Sequence, residues 1–342
     1  MERNNLKEMK TIAFGPVPSR RLGRSVGINN IPSKFCPYSC IYCQVGKTTD
    51  VTIARRSFYK IEEIFEQAKR KVNETTTRNE PIDYLTFVAD GEPTLDINLG
   101  KEISLLKQIG IPIAVITNSS LIWQNDIKQD LFEADLVSFK IDSVTERVWK
   151  RINRPHKDLR LNTILEGIND FANDFRGTII SETMLIDDIH YADEFEKIAE
   201  FLKHLKRLDK AYIAIPTRPP SERWVTPAKE EMVNAAFQIF AKKLGTKRLE
   251  TLIGYEGNAF ALTGRVKEDL LSITAVHPMR REAVDELLKK TDVGWLIIEE
   301  LLQEGKLVEL KYQEKVYYMR SYQAERKKLA FNRDRLECRD NL

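Results

Sequence analysis

The sequence predicts an α/β protein: a curved, open parallel sheet covered by helices, followed by a small C-terminal winged-helix-like domain. Two observations predict the sheet. From about residue 80, short β-branched apolar runs recur, and each is followed by an amphipathic helical stretch. Continuous apolar strands separated by helices are the pattern of a parallel sheet covered by helices. A third observation, a change of rhythm near residue 246, separates a core domain over 1–245 from a second domain plus charged tail over 246–342.

Taken in order, the first unit is the strand Ser25-Val26-Gly27-Ile28, a cysteine-bearing loop and a helix over 61–72. Strands follow at 82–89, 113–117, 136–140, 178–186 and 211–215. The helices after them cover 99–109, 125–132, 159–175, 192–208 and 228–244. This makes six βα units, too few for a closed eight-fold barrel. In such sheets the loops after the strands carry the chemistry, and the cysteine loop is one of them. Beyond them, helices are expected at 266–275, 282–290 and 294–304, with Gly305 as a C-cap. Strands at 307–312 and 315–319 flank Gln313-Glu314, a hairpin signal without the favoured Gly. Three helices and a two-stranded wing resemble a winged helix-turn-helix.

Composition excludes several classes. A formal net charge of +3 over 342 residues does not by itself announce a nucleic-acid binder. The first residues contain no apolar signal segment, and no run approaches the ~18 apolar residues that span a bilayer. With four cysteines, the expectation is a reduced, cytoplasmic protein with no membrane association.

The chemistry is announced by Phe35-Cys36-Pro37-Tyr38-Ser39-Cys40-Ile41-Tyr42-Cys43, a C-x3-C-x2-C spacing. Three thiolates on one short loop can hold three irons of a cubane [4Fe–4S] cluster and leave the fourth open to another molecule. Zinc sites usually want four ligands, but Cys338 is far away and His156, His190, His204 and His277 show no paired spacing. Cys338 is expected to be a free thiol. The cysteine spacing, with an aromatic residue before the last cysteine, resembles the signature of the radical S-adenosylmethionine (radical SAM) superfamily.

That resemblance implies a partial (βα)6 TIM barrel, a [4Fe–4S] cluster on Cys36, Cys40 and Cys43, and SAM bound to the open iron through its amino and carboxylate groups. It also implies an electron donor of flavodoxin or ferredoxin type. The reduced cluster splits SAM into methionine and a 5′-deoxyadenosyl radical, which abstracts hydrogen from the substrate. Asp90-Gly91-Glu92-Pro93-Thr94, after the second strand, resembles the family's Gly-Gly-Glu motif, with Asp90 in place of the first glycine. There Gly91 admits close backbone approach and Glu92 meets the SAM ammonium. This form, together with the lead-in Gly15-Pro16-Val17-Pro18-Ser19-Arg20-Arg21-Leu22-Gly23-Arg24, resembles the wyosine-type tRNA-modifying subgroup (tRNA imidazoguanosine synthetase-like). The extra cysteines that hold a second cluster in that subgroup are absent, so the resemblance does not by itself imply its particular reaction.

Other candidates stand at later strand ends. Tyr42 is either a cofactor contact or ordinary loop packing. Asn118 can bond the SAM carboxylate or ribose, and Lys140 and Asp142 lie where family members contact SAM or substrate. Glu182 and Met184 can face the barrel interior, and Arg218 can meet a carboxylate or phosphate. Arg20, Arg21 and Arg24 either hold a phosphate or pair with acidic residues across the barrel. The segment over 151–156 lies on the same face. The sequence-level conclusion is a radical SAM enzyme acting on RNA, protein or a metabolite. The alternative is an iron–sulfur redox-sensing DNA-binding regulator. The acidic helix Leu296-Ile297-Ile298-Glu299-Glu300-Leu301-Leu302 argues against duplex binding.

Overall fold

A computed structural model describes residues 12–254, 260 and 265–321. Cys338 and the charged tail from residue 325 lie outside the described residues.

The chain opens with a hairpin, β1 (Ala13–Ser19) and β2 (Gly23–Ile28). The cysteine loop carries two short strands, β3 (Phe35–Cys36) and β4 (Asp50–Val51), and leads into α1 (Ile61–Thr76). Then β5 (Tyr84–Phe87), α2 (Leu99–Leu106), β6 (Ile113–Thr117), α3 (Asn125–Phe132) and β7 (Leu136–Lys140) alternate. Two helices follow β7, α4 (Glu146–Asn153) and α5 (Leu161–Asp174). The series ends with β8 (Thr178–Met184), α6 (Glu194–His204), β9 (Leu208–Ala214), α7 (Glu230–Leu244) and β10 (Leu249–Leu252).

The eight strands form one curled sheet in the order β1-β2-β5-β6-β7-β8-β9-β10. All neighbours from β2 to β10 are parallel, and β1 alone is antiparallel, on β2. The six expected strands are therefore all present, and the sheet is wider by one strand at each edge. β1 escapes a periodicity reading because Pro16 and Pro18 interrupt it; proline cannot donate to a ladder and is tolerated at an edge. β10 is four residues long and follows residue 245, so the main sheet runs past the expected domain boundary.

The helices cover the outer face and bury a continuous apolar layer including Val26, Leu85, Ile103, Val137, Phe139, Phe171 and Ile213. Inside the curl, Leu22, Ala114, Leu136, Ile180, Tyr212 and Leu252 form a separate apolar floor. Above that floor, interior residues are polar.

The remaining elements are α8 (Val266–Val276), β11 (Met279–Arg280), α9 (Arg281–Leu288), α10 (Leu296–Gln303), β12 (Leu307–Tyr312) and β13 (Lys315–Arg320). Their strands form an antiparallel sheet ordered β11-β13-β12, one strand more than the expected hairpin. Gln313 and Glu314 both adopt positive φ, which a tight I′-like turn demands even without Gly. This unit has its own core of Leu270, Ile273, Val284, Ile298, Leu301 and Tyr318. It also packs on the main sheet: Phe14 of β1 is buried with Ala275 and Val276, and Lys71 of α1 pairs with Asp269 at 3.0 Å.

Candidate metal and cofactor site

The cysteine loop is held from three sides. Phe35 and Cys36 pair with Asp50 and Val51, so the loop closes on itself. The end of α4 backs it: Ser39 N donates to Asn153 O (3.0 Å), Ile41 N to Ile152 O (2.9 Å) and His156 N to Pro37 O (2.8 Å). From beyond β9, Ser221 Oγ donates to Cys40 O at 2.9 Å. Cys43 N donates to Cys40 O (3.1 Å) and Gly46 N to Cys43 O (3.0 Å), which turns the loop back.

Burial pushes the Cys36 thiol well up, and Cys40 and Glu92 add to the shift. Burial, then Asp142, pushes the Cys40 thiol to about 12. Such thiols shed their protons to a strongly cationic partner, as iron binding requires. Each also has a neutral donor, Asn118 Nδ2 to Cys36 Sγ (3.2 Å) and Asn153 Nδ2 to Cys40 Sγ (3.4 Å). Hydrogen bonds to cysteine sulfur are a known means of tuning a cluster. Among the described residues, no group of three or more His, Cys, Asp or Glu converges to hold a single metal ion. Three thiols on one short loop are soft donors of the kind that fits an iron–sulfur cluster.

Gly91 and Glu92 lie directly against this loop. A Cβ at Gly91 would stand 1.9 Å from Phe35 O, so only glycine fits. Glu92 N donates to Phe35 O at 3.0 Å. The Glu92 carboxylate is buried, accepting from Thr94 N (3.2 Å), Thr94 Oγ1 (2.8 Å), Thr117 Oγ1 (2.6 Å) and Asn118 N (2.7 Å). Burial raises its carboxyl, and these neutral donors only partly offset it. Asn118 is thus a joint: its backbone holds Glu92 and its side chain holds Cys36.

Asp142 is fully engaged beneath the loop. It accepts from the Tyr42 hydroxyl, from Asn153 Nδ2 (2.8 Å) and from Met184 N (3.0 Å). Tyr42 is thereby pinned, and Lys140 Nζ stands 4.9 Å from its ring centroid. Lys140 also pairs with Glu182, which Arg21 reaches from the hairpin tip. Burial alone would raise the Glu182 carboxyl, but Arg21, Lys140 and Arg218 outweigh it and hold it at about 2. Of the three lead-in arginines, Arg21 and Arg24 pair with Glu182 and Glu80, while Arg20 Nη2 donates to Gly254 O (3.0 Å). Arg21 and Arg24 are thus paired with carboxylates and Arg20 with backbone carbonyls. Met184 is half-buried at the end of β8, beside the apolar floor.

Two residues that sequence reasoning missed complete the rim. Asn153 bonds both Cys40 and Asp142; its segment stood out in the sequence, but a single Asn carries no periodicity. His277 follows α8, and its Nε2 meets Arg218 Nη2 at 2.9 Å, while Arg218 Nη1 donates to Gln44 Oε1 (3.1 Å). Burial and Arg218 hold this imidazole well below its usual range, so it stays neutral.

The model of the radical SAM superfamily matches residues 30–202, just over half of the chain. This chain belongs to the radical SAM superfamily. A UPF0026 protein of Methanocaldococcus jannaschii is 51% identical over 94% of this chain and 99% of its own length. A radical SAM methyltransferase from Sphaerobacter thermophilus has a similar structure, with 14% identity over 67% of this chain and 66% of that one and a TM-score of 0.49. A structure of TYW1 with a lysine-pyruvate adduct bound is similar at 15% identity, 64% and 73% coverage and a TM-score of 0.47. Among the described residues, no helix of this radical SAM protein is long and apolar enough to cross a membrane.

Proposed function

We propose that this radical SAM protein binds one [4Fe–4S] cluster through Cys36, Cys40 and Cys43 and reductively cleaves SAM to start radical chemistry on a substrate. The observation that carries this reading is the Asn118 joint, which ties the candidate cluster ligand Cys36 to the candidate ammonium acceptor Glu92. When bound, cluster and SAM supply the hard step, one-electron cleavage of a C–S bond and removal of hydrogen from an inert C–H bond.

The chain's own residues bind, orient and exclude water. Glu92 receives the SAM ammonium at a place where no cation of the described residues pairs with it, and Gly91 keeps the backbone bare beside it. Tyr42, pinned by Asp142, forms a wall of the site, with Lys140 beside it as a further cofactor contact. Glu182, Arg21 and Arg218 line the interior where a substrate enters. An electron donor of flavodoxin or ferredoxin type completes the cycle.

The order helix, strand, helix, helix, strand, strand over 266–320 supports the winged-helix reading of the C-terminal domain. We assign the core domain to residues up to Gly254, because β10 belongs to its sheet. The acidic α10 favours protein contact over duplex DNA.

Anaerobic reconstitution tests the reading. About four irons per chain are expected, the content of one cubane, with dithionite-driven release of 5′-deoxyadenosine. A full iron load without that release would remove the SAM assignment. Parallel assays with RNA, protein and metabolite pools then identify the substrate.

A further inference from the structure

Behind the cysteine loop lies a groove of about 690 Å3, lined by Trp149, Lys150, Arg154, His156, Lys157 and Arg160 among others. Its rim continues to the exposed Trp224, over which the Arg151 guanidinium sits 4.7 Å from the ring centroid. Lys150, Arg151, Arg154, Lys157, Arg160 and Arg223 are all exposed. Against them stand Glu146, Asp158 and Glu222, so this one face carries six cations and three anions, a net +3. That equals the formal excess of the whole chain. Local salt links (Lys150 to Glu146 at 2.7 Å, Arg154 to Glu222) leave the majority of the charge uncancelled.

The groove is also a short route to the cysteines. Trp149 lies on its floor, and its indole N–H donates to Tyr38 Oη at 3.1 Å, with the two rings 6.0 Å apart and edge to face. Tyr38 stands between Cys36 and Cys40 in the loop. On the other side, Asn153, between groove residues, touches Cys40 Sγ. Electron tunnelling falls steeply with distance, so a protein donor must dock close to the cysteines. A carrier that docks on a positive face must itself be acidic.

We propose that this groove is the docking face for an acidic electron-carrier protein holding a flavin or iron–sulfur centre. Trp149 and Tyr38 bridge it to the centre on Cys36, Cys40 and Cys43. One electron leaves the donor's reduced centre, which is oxidised by one electron, and enters the centre held by the cysteines; no bond is made and no proton moves. This rests on the radical SAM reading above.

The test uses full-length reconstituted protein and a purified acidic flavodoxin as probe. In the Lys150→Glu/Lys157→Glu variant, flavodoxin affinity by titration calorimetry should fall at least about ten-fold, as reversal of steering charges predicts. Wild-type binding should weaken steeply with salt. Lys242→Glu/Lys289→Glu, the same charge change on exposed residues elsewhere, should bind normally. Dithionite needs no docking face, so the groove variant should keep dithionite-driven 5′-deoxyadenosine release and lose only flavodoxin-driven release. Arg223→Glu removes an exposed cation next to Trp224 in the chain and should act in the same direction, which keeps the test alive if the first variant folds poorly. Flavodoxin binding unchanged in both variants overturns the proposal. So does unchanged flavodoxin binding with loss of bulk tRNA retention, which would make the groove a nucleic-acid face. Failure of the underlying reading looks different: the wild type would then hold no iron or release nothing with dithionite.

Discussion

Two buried glutamates at the ends of strands in one sheet live in opposite electrostatic worlds. Glu92, 1% exposed, is surrounded by hydroxyl and amide donors, and burial leaves its carboxyl raised. Glu182, 7% exposed, is ringed by Arg21, Lys140 and Arg218 and held at about 2. A buried carboxylate without a cation is costly and gains most from a cationic guest. One already saturated with cations gains nothing from another. The difference favours Glu92 over Glu182 as the proposed ammonium acceptor.

The comparison breaks most completely if the cysteine loop beside Glu92 is not the metal centre. Cys40→Ala should abolish the cluster, with iron and sulfide falling from about four each per chain to background. Cys338→Ala should retain it. A fully loaded Cys40→Ala protein would end the assignment.

The next effect is on stability. Glu182 has its carboxyl lowered from 4.5 to about 2, so it stabilises the fold above its unfolded value, and this is lost as pH falls through that window. The shift corresponds to on the order of 3 kcal/mol. Melting curves of Glu182→Gln against pH should therefore show a flattened acid limb. Glu92 has the opposite sign. Its raised carboxyl makes the ligand-free protein less stable as pH rises from the ordinary carboxylate range to its folded value. Over that same interval SAM affinity should increase.

A third measurement separates the pair directly. Glu92→Gln should weaken SAM about ten-fold or more, since a hydrogen bond to a charged group contributes ~1.5–3 kcal/mol, with iron content near normal. Calorimetry on Glu182→Gln should find SAM affinity little changed. Equal losses in both would erase the distinction.

The smallest effect concerns the C-terminal domain, which meets the Glu182 side of this comparison near Arg218 and the cysteine loop through Gln44 Nε2 to Val276 O at 2.7 Å. Tyr317 Oη donates to Thr217 O (2.8 Å) and Tyr312 Oη to Pro216 O (3.0 Å), next to Arg218. Tyr317→Phe should cost about 1 kcal/mol in thermal unfolding and leave SAM affinity intact.

Much of this was legible because the relevant signals are local. Six parallel strands announced themselves as unbroken apolar runs, and β6, α3 and β7 match their expected limits. The cysteine spacing and Gly91-Glu92 were readable for the same reason. What escaped was non-local or interrupted. β1 hides behind its prolines, and β11 is a two-residue strand that only its pairing with β13 defines. The single helix expected over 159–175 is preceded by a second one, α4, whose end overlaps the start of the 151–156 segment. Asn153 and His277 act through contacts with residues 113 and 59 positions away, which no window of sequence contains. A chain cut near Lys247 would lose β10 from the main sheet and His277 from Arg218.

The two margins of the curled sheet carry one further consequence. An open sheet exposes unpaired backbone groups that can recruit a strand from another molecule and seed aggregation. Here one margin, β1, carries Pro16 and Pro18, which remove amide donors, and the other, β10, is only four residues long. Arg20 reaches from the β1–β2 tip to carbonyls of Thr251 and Gly254, occupying acceptors beside the second margin. Replacing both prolines with β-branched residues should turn the half-barrel into a template for its own kind.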